Sequence, residues 1–323
     1  MLFALALFGG LAILIKGADL FVDGAAATAR HFRVSPLVVG MLIVGFGTST
    51  PEMLVSAISA LDGAPGIALG NAWGSNIANI ALILGVTALV KPVGVQSRVI
   101  RTELPILLGV TVVAGVIVLD GALGRFDAVV LLTLFALFLF WSVRFQRVDT
   151  TDPLAVEAVR EVPASAPERS VWISVLVLGA GLALLVLGSR GVVWGAVGIA
   201  RAAGISDLVI GLTVVAVGTS LPELASSVAA IRKGEDEIAF GNVVGSNLFN
   251  TLAVVGIAGL IAPFTVERVS IVRDLPVMAA LTVLMLLFGI GRRGRQGRIN
   301  RYEATVLCLA YVAYLAVLIQ PLL

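Results

Sequence analysis

Residues Gly70–Asn79 read GNAWGSNIAN, and residues Gly241–Asn250 read GNVVGSNLFN, 171 positions later (241 against 70). A second segment keeps the same offset: GTSTPE at Gly47–Glu52 returns as GTSLPE at Gly218–Glu223. Aligned without a gap, 37–79 and 208–250 agree at 19 of 43 positions. Upstream, Gly10, Gly17 and Gly24 match Gly181, Gly188 and Gly195 in the same register. Chance does not supply this, so the chain divides into a first unit (1–145), a linker (146–170) and a second copy of the unit (171–323).

What the unit can be follows from its apolar runs. A membrane-crossing helix needs about 20 mostly apolar residues. Ten stretches qualify: 3–28, 36–61, 66–89, 104–119, 127–145, 171–200, 207–231, 237–261, 274–290 and 303–321. The chain is 59% hydrophobic and only 13% charged, with mean hydropathy +1.06, against about half and a quarter in soluble domains. Each unit holds five spans. Five is odd, so the second unit enters the membrane from the opposite side. The expectation is an all-α polytopic membrane protein of ten helices in two inverted five-helix repeats. Secondary transporters use that plan, with substrate sites near the midplane where the repeats meet.

Charge sets the orientation. Loops on one side carry 16 Lys and Arg, and the other side carries four: Arg125, Arg201, Arg268 and Arg273. Basic residues accumulate on the cytoplasmic side, so both termini are expected outside, in a cell (inner) membrane. The apolar start has no basic flank and runs on to Lys16 and Asp19, which reads as the first span and not as a cleavable signal. The linker carries Pro153, Pro163 and Pro167 and is expected at the surface, with a short interfacial helix from Pro153 to Val162. The arginines of 292–301 suit an anchor against anionic lipid. A net charge of +2 gives no field for nucleic acid.

The only cysteine is Cys308 and the only histidine is His31. Disulfides and thiolate or imidazole metal sites are thereby excluded within one chain, and no cofactor is expected. A cation site has to be built from oxygen. The repeated motifs supply it. An acid at bilayer depth costs about 2.5–3.5 kcal/mol on insertion scales, and Glu52 and Glu223 occupy equivalent mid-span positions. Pro51 and Pro222 lack an N–H and crowd the carbonyls of Gly47 and Gly218, so each helix is expected to bend or break just before its glutamate. Irregular backbone is tolerated at that depth where it is buried or lines a wet cavity. Thr48 and Ser49 add hydroxyls, Thr48 on the face of Glu52. In the next span Asn71, Ser75 and Asn79 form an i, i+4, i+8 stripe, repeated as Asn242, Ser246 and Asn250. The glycine pairs Gly70/Gly74 and Gly241/Gly245 are expected to let helices approach closely, and Asn76 and Asn247, off the stripe, to tie helices together. Two carboxylates carry −2 when ionised, which one Ca²⁺ or two Na⁺ neutralise. Ca²⁺ accepts about 6–8 such oxygens in flexible geometry.

These paired GTSxPE and GNxxGSN segments resemble the cation/Ca²⁺ exchanger superfamily, and within it the prokaryotic sodium/calcium exchangers with two inverted alpha-repeats. The resemblance spans both repeats and the ten-helix layout. It implies an antiporter that uses inward Na⁺ movement to extrude Ca²⁺. It further implies that Glu52 and Glu223 are the central ligands, joined by Thr48, Ser49, Thr219, Ser220, Ser75 and Ser246. Backbone carbonyls of Gly45 and Ala216 would add to them, as would the side chains of Asn79 and Asn250. Several members carry an aspartate where this chain has Asn250, which bears on stoichiometry and potassium dependence. A proton- or K⁺-coupled antiporter of the same fold is the alternative. The proton-coupled branch carries acidic or histidine residues where this chain has Gly74–Ser75–Asn76 and Gly245–Ser246–Asn247.

A passive cation channel would use the same oxygens, but channels usually surround an axis shared by several subunits. An intramembrane hydrolase on a GTS serine lacks a base, since His31 falls in a basic loop. The chain is therefore expected to be a transporter and not an enzyme, a monomer in membrane lipid. Its spans 1 and 6 would move against the remaining eight. Spans 1 and 6 are expected to pack together, with Asp19 paired to Lys16 or Arg190.

Overall fold

The apolar runs become helices because a segment of about 20 apolar residues in hydrocarbon satisfies its backbone polar groups within itself only as a helix. The structure, a computed structural model, describes residues 2–32, 34–145, 170–204, 216–290 and 297–320. In chain order the helices are α1 (Leu2–Phe32), α2 (Pro36–Leu61), α3 (Gly66–Val90), α4 (Ser97–Asp120), α5 (Arg125–Phe145) and α6 (Val171–Ala202). They continue as α7 (Ala216–Thr219 and Leu221–Arg232), α8 (Asp236–Ile261), α9 (Ser270–Gly289) and α10 (Arg301–Ile319). Among the described residues nine helices, all but α7, are long and apolar enough to cross a membrane. The seventh expected span, 207–231, falls partly outside the described residues. The expected linker helix Pro153–Val162 and Arg292, Arg293 and Arg295 lie wholly outside them.

α1 and α6 lie against each other along their length, antiparallel, through the heptad-spaced glycines. A Cβ added to Gly10 would stand 2.6 Å from Val192 N, one on Gly17 2.7 Å from Leu185 N, and one on Gly24 2.5 Å from Leu178 N. Gly188 answers from α6, 2.5 Å from Leu14 N. Lipid offers no hydrophobic drive for helix association, so backbone-to-backbone packing of small residues supplies it. α8 is the most enclosed element: every residue from Ile238 to Leu248 is buried. It crosses α2 closely, with Gly241 against Leu37 O (2.5 Å to an added Cβ) and Gly40 against Ile238 O (2.7 Å). Of the four glycines expected to do this, Gly241 and Gly245 do. A Cβ added to Gly70 or Gly74 would meet nothing within 4 Å among the described residues, and the α7 positions equivalent to Leu37 and Met41, 208 and 212, lie outside them.

Two short antiparallel ribbons join loops of different units. β1 (Val93–Val95) pairs with β4 (Gly297–Ile299), and β2 (Ala122–Leu123) pairs with β3 (Phe264–Thr265).

The proline expectation needs correction. α2 runs as a continuous α-helix through Pro51, and its widened π-helical turn lies upstream at Gly40–Val44. α7 does break, at Ser220, with Pro222 in the first turn of the resumed helix. An outside donor explains the difference. Ser189 of α6 donates to the Gly218 carbonyl at 2.8 Å, taking up an acceptor freed by Pro222. The residue 171 positions before Ser189 is Ala18, which has no hydroxyl to offer α2.

The Asp19 expectation is also corrected. Its partner is neither Lys16 nor Arg190 but Lys233, whose Nζ lies 3.8 Å from Asp19 Oδ1 and donates to the Asp19 carbonyl at 2.8 Å. The same ammonium sits 2.6 Å from Asp23 Oδ1. The glycine face of α1 is committed to α6, so the i, i+4 pair Asp19/Asp23 faces the α7–α8 turn instead.

Candidate cation site

Four helices bring the sequence-derived oxygens together. α2 contributes Thr48, Ser49 and Glu52, α3 contributes Ser75 and Asn79, α7 contributes Ser220 and Glu223, and α8 contributes Ser246 and Asn250, all buried. Glu52 is 2% exposed and Glu223 is 3% exposed. Thr48, one turn before Glu52, meets the Asn242 side chain that also holds the Glu223 carbonyl, so the two acid-bearing helices come together across the two units. Gly45 is buried, with its carbonyl 3.4 Å from Thr48 Oγ1. Ala216 and Thr219 bound the first helical piece of α7, just before the break.

Seven of these oxygens are buried and unpartnered: Ser49 Oγ, both carboxylate oxygens of Glu52, Asn79 Oδ1, Glu223 Oε2, Ser246 Oγ and Asn250 Oδ1. Buried polar atoms in native proteins are almost always hydrogen-bonded, and a buried carboxylate with no partner costs several kcal/mol. Five of the seven are carboxylate or amide oxygens that only accept, and the two hydroxyls can turn their lone pairs the same way, so a bare cation would satisfy the cluster. Among the described residues no group of three or more His, Cys, Asp or Glu gathers. Two acids and neutral oxygens make a hard site of low formal charge, suited to ions that exchange rather than to a resident transition metal.

Sequence reasoning placed Asn242 on the α8 stripe but missed its role. Thr48 Oγ1 lies 3.1 Å from Asn242 Oδ1 and 3.0 Å from the Val44 carbonyl. The Asn242 amide nitrogen faces the Glu223 carbonyl (3.2 Å), Ser226 Oγ (3.1 Å) and Ser227 Oγ (2.9 Å). Asn242 thus ties both glutamate-bearing helices to α8. Its repeat mate Asn71 is half-buried, and among the described residues its amide faces Ser56 Oγ, at 3.5 Å. The stripe spacing was the available signal, and it could not tell a ligand from a tie.

The two motif asparagines off the stripe do join helices. Asn76 Nδ2 donates to Thr251 Oγ1 at 2.7 Å and faces Met278 Sδ at 3.4 Å. Asn79 Nδ2 donates to Asn247 Oδ1 at 3.1 Å, which leaves Asn79 Oδ1 free for the site. π-helical turns begin at or just after these asparagines, Asn79–Leu84 in α3 and Phe249–Val254 in α8. Such turns are frequent at functional sites, and no sequence signal announced them.

Comparison with known proteins is consistent over nearly the whole chain. The family described as sodium/calcium exchanger protein matches residues 2–144 and 173–320. The chain is 44% identical over 308 residues to the putative antiporter CaxA of Alkalimonas amylolytica, covering 94% of this chain and 95% of that protein. It is 32% identical over 340 residues to the sodium/calcium exchanger MaX1 of Methanosarcina acetivorans, covering 96% of each. Its fold is similar to the solved structure of the sodium-calcium exchanger NCX_Mj soaked with Na⁺ and Ca²⁺. That match has a TM-score of 0.82 at 34% identity and covers 98% of both chains.

Proposed function

This chain belongs to the sodium/calcium exchanger protein family, and from that membership and its site we propose that it exchanges Na⁺ for Ca²⁺ across the membrane. The observation that carries the reading is the set of seven buried, unpartnered oxygens on α2, α3, α7 and α8. Ionised, Glu52 and Glu223 give the site −2. One Ca²⁺ or two Na⁺ bring it to neutrality, and a third Na⁺ leaves +1. In a low-dielectric site an uncompensated charge is costly, so the two loads exclude each other. That exclusion is the physical basis of exchange.

Glu52 and Glu223 would be the central ligands, with Thr48, Ser49, Thr219, Ser220, Ser75, Ser246, Asn79 and Asn250 and the Gly45 and Ala216 carbonyls completing both ion shells. Residues 1–145 and 171–323 would act as inverted halves joined by 146–170, in a monomer with both termini outside. The glycine-packed α1–α6 pair would slide as a unit against the other eight helices and expose the site to one side at a time.

Reconstituted vesicles test this. With ⁴⁵Ca inside or outside and an imposed Na⁺ gradient, wild type should move Ca²⁺ against Na⁺, and neither a K⁺ nor a pH gradient should substitute. Glu52→Gln and Glu223→Gln should each abolish the flux. Normal exchange by both variants would overturn the assignment.

A further inference from the structure

The turns that follow α2 and α7 have the same geometry. Asp62 (φ −78°, ψ 5°) and Lys233 (φ −86°, ψ −2°) are the respective C-caps. Gly63 and Gly234 follow at φ +80° and +81°, a conformation glycine adopts without strain. The two caps are 171 residues apart, and so are Asp19 and Arg190 (190 against 19). The ion pair Lys233–Asp19 therefore has an image in the other unit, Asp62–Arg190, in which both charges are reversed and attraction is preserved. Lys233 is engaged with Asp19 and Asp23. Asp62 and Arg190 are both exposed, and among the described residues neither side chain makes an ion pair or hydrogen bond.

We propose that Asp62 and Arg190 form the matching latch, closing the α2–α3 end of the molecule when the Lys233–Asp19 latch at the α7–α8 end is open. This rests on the alternating-access reading above. In an inverted repeat the second state is the first with the units' conformations exchanged, so a contact between residues 19 and 233 becomes one between 190 and 62. The other ties at the α7–α8 end have no such image. Arg30 lies 4.0 Å from Glu235, and Asp236 takes Lys91 at 3.4 Å and the Gly94 N–H at 3.0 Å. The positions matching Glu235 and Asp236 are Ala64 and Pro65. Among the ties of the described residues, Lys233–Asp19 thus has a charged image at the α2–α3 end and the Glu235 and Asp236 contacts do not, so that end is expected to close less readily.

Disulfide trapping in a Cys308→Ser background tests this. Asp19→Cys/Lys233→Cys is the reference pair and Asp62→Cys/Arg190→Cys the new one. Each is oxidised in membranes with Na⁺, with Ca²⁺ or with neither. Both pairs are expected to cross-link reversibly, the new one more slowly. Lys233→Ala, which opens the first latch, should speed the Asp62/Arg190 cross-link about two- to fivefold, the scale of an exposed ion pair. A reference cross-link with none at Asp62/Arg190 under any ion, or a rate indifferent to Lys233→Ala, would overturn the proposal. Cross-linking reads proximity without transport. Failure of the Na⁺/Ca²⁺ assignment would show separately, as latches that form in a protein moving neither ion.

Discussion

Thr48 of α2 and Asn242 of α8 meet hydroxyl to amide oxygen at 3.1 Å, and the other end of that amide holds the carbonyl of Glu223 in α7. One side chain thereby spans the two helices that carry the paired acids. Asn242→Ala should lower thermal stability in detergent by about 1–3 kcal/mol, the cost of leaving buried polar partners unmatched, and should weaken Ca²⁺-dependent stabilisation. Asn71→Ala, at the half-buried copy, should cost clearly less. Melting curves of the two variants decide: an equal or larger effect at Asn71 would remove the special role of Asn242.

The α1–α6 seam leaves no room for a methyl group at its heptad glycines. Gly188→Ala should cost about 1–3 kcal/mol through overpacking against Leu14. Gly9→Ala, where an added Cβ meets nothing within 4 Å, should be neutral or stabilising by up to about 1 kcal/mol from helix propensity. Thermal unfolding of the pair in one detergent checks the contrast.

Asn250 presents an unpartnered amide oxygen to the site. Asn250→Asp keeps the shape and takes the formal charge from −2 to −3. The variant should bind Ca²⁺ more tightly, release it more slowly, and couple to at least one further monovalent cation. Reversal potentials in vesicles, with and without K⁺, measure this. An unchanged ion ratio and affinity would place residue 250 outside the ion shell.

Burial raises the pKa of Glu235 above its ordinary 4.5, partly opposed by Arg30. The folded protein then holds that proton more tightly than the unfolded chain. The stability it contributes is complete below pH 4.5 and falls as pH rises through the folded value. The Arg30 pair, 4.0 Å long with the arginine 38% exposed, returns little. Glu235→Gln should therefore melt higher than wild type near neutral pH and converge with it near pH 4. A gap that widened on acidification would contradict the sign.

The repeat, the apolar spans and the two out-of-place glutamates are properties of the string of residues, so duplication, membrane residence and the oxygens of the proposed cation site were legible without coordinates. Hydropathy says what must leave water and helical spacing says which side chains share a face. Neither says what stands opposite. The structure alone assigned Asp19 to Lys233, 214 residues away. It made Asn242 a tie between helices, and it placed the α7 break at Ser220 while letting α2 pass through Pro51. In each case a partner on another helix decided the outcome. Ser189 offers Gly218 a proton where Ala18 has none for α2, and the glycine seam turns the acids of α1 toward the α7–α8 turn. Such choices depend on distances between helices, which packing sets and local sequence does not carry.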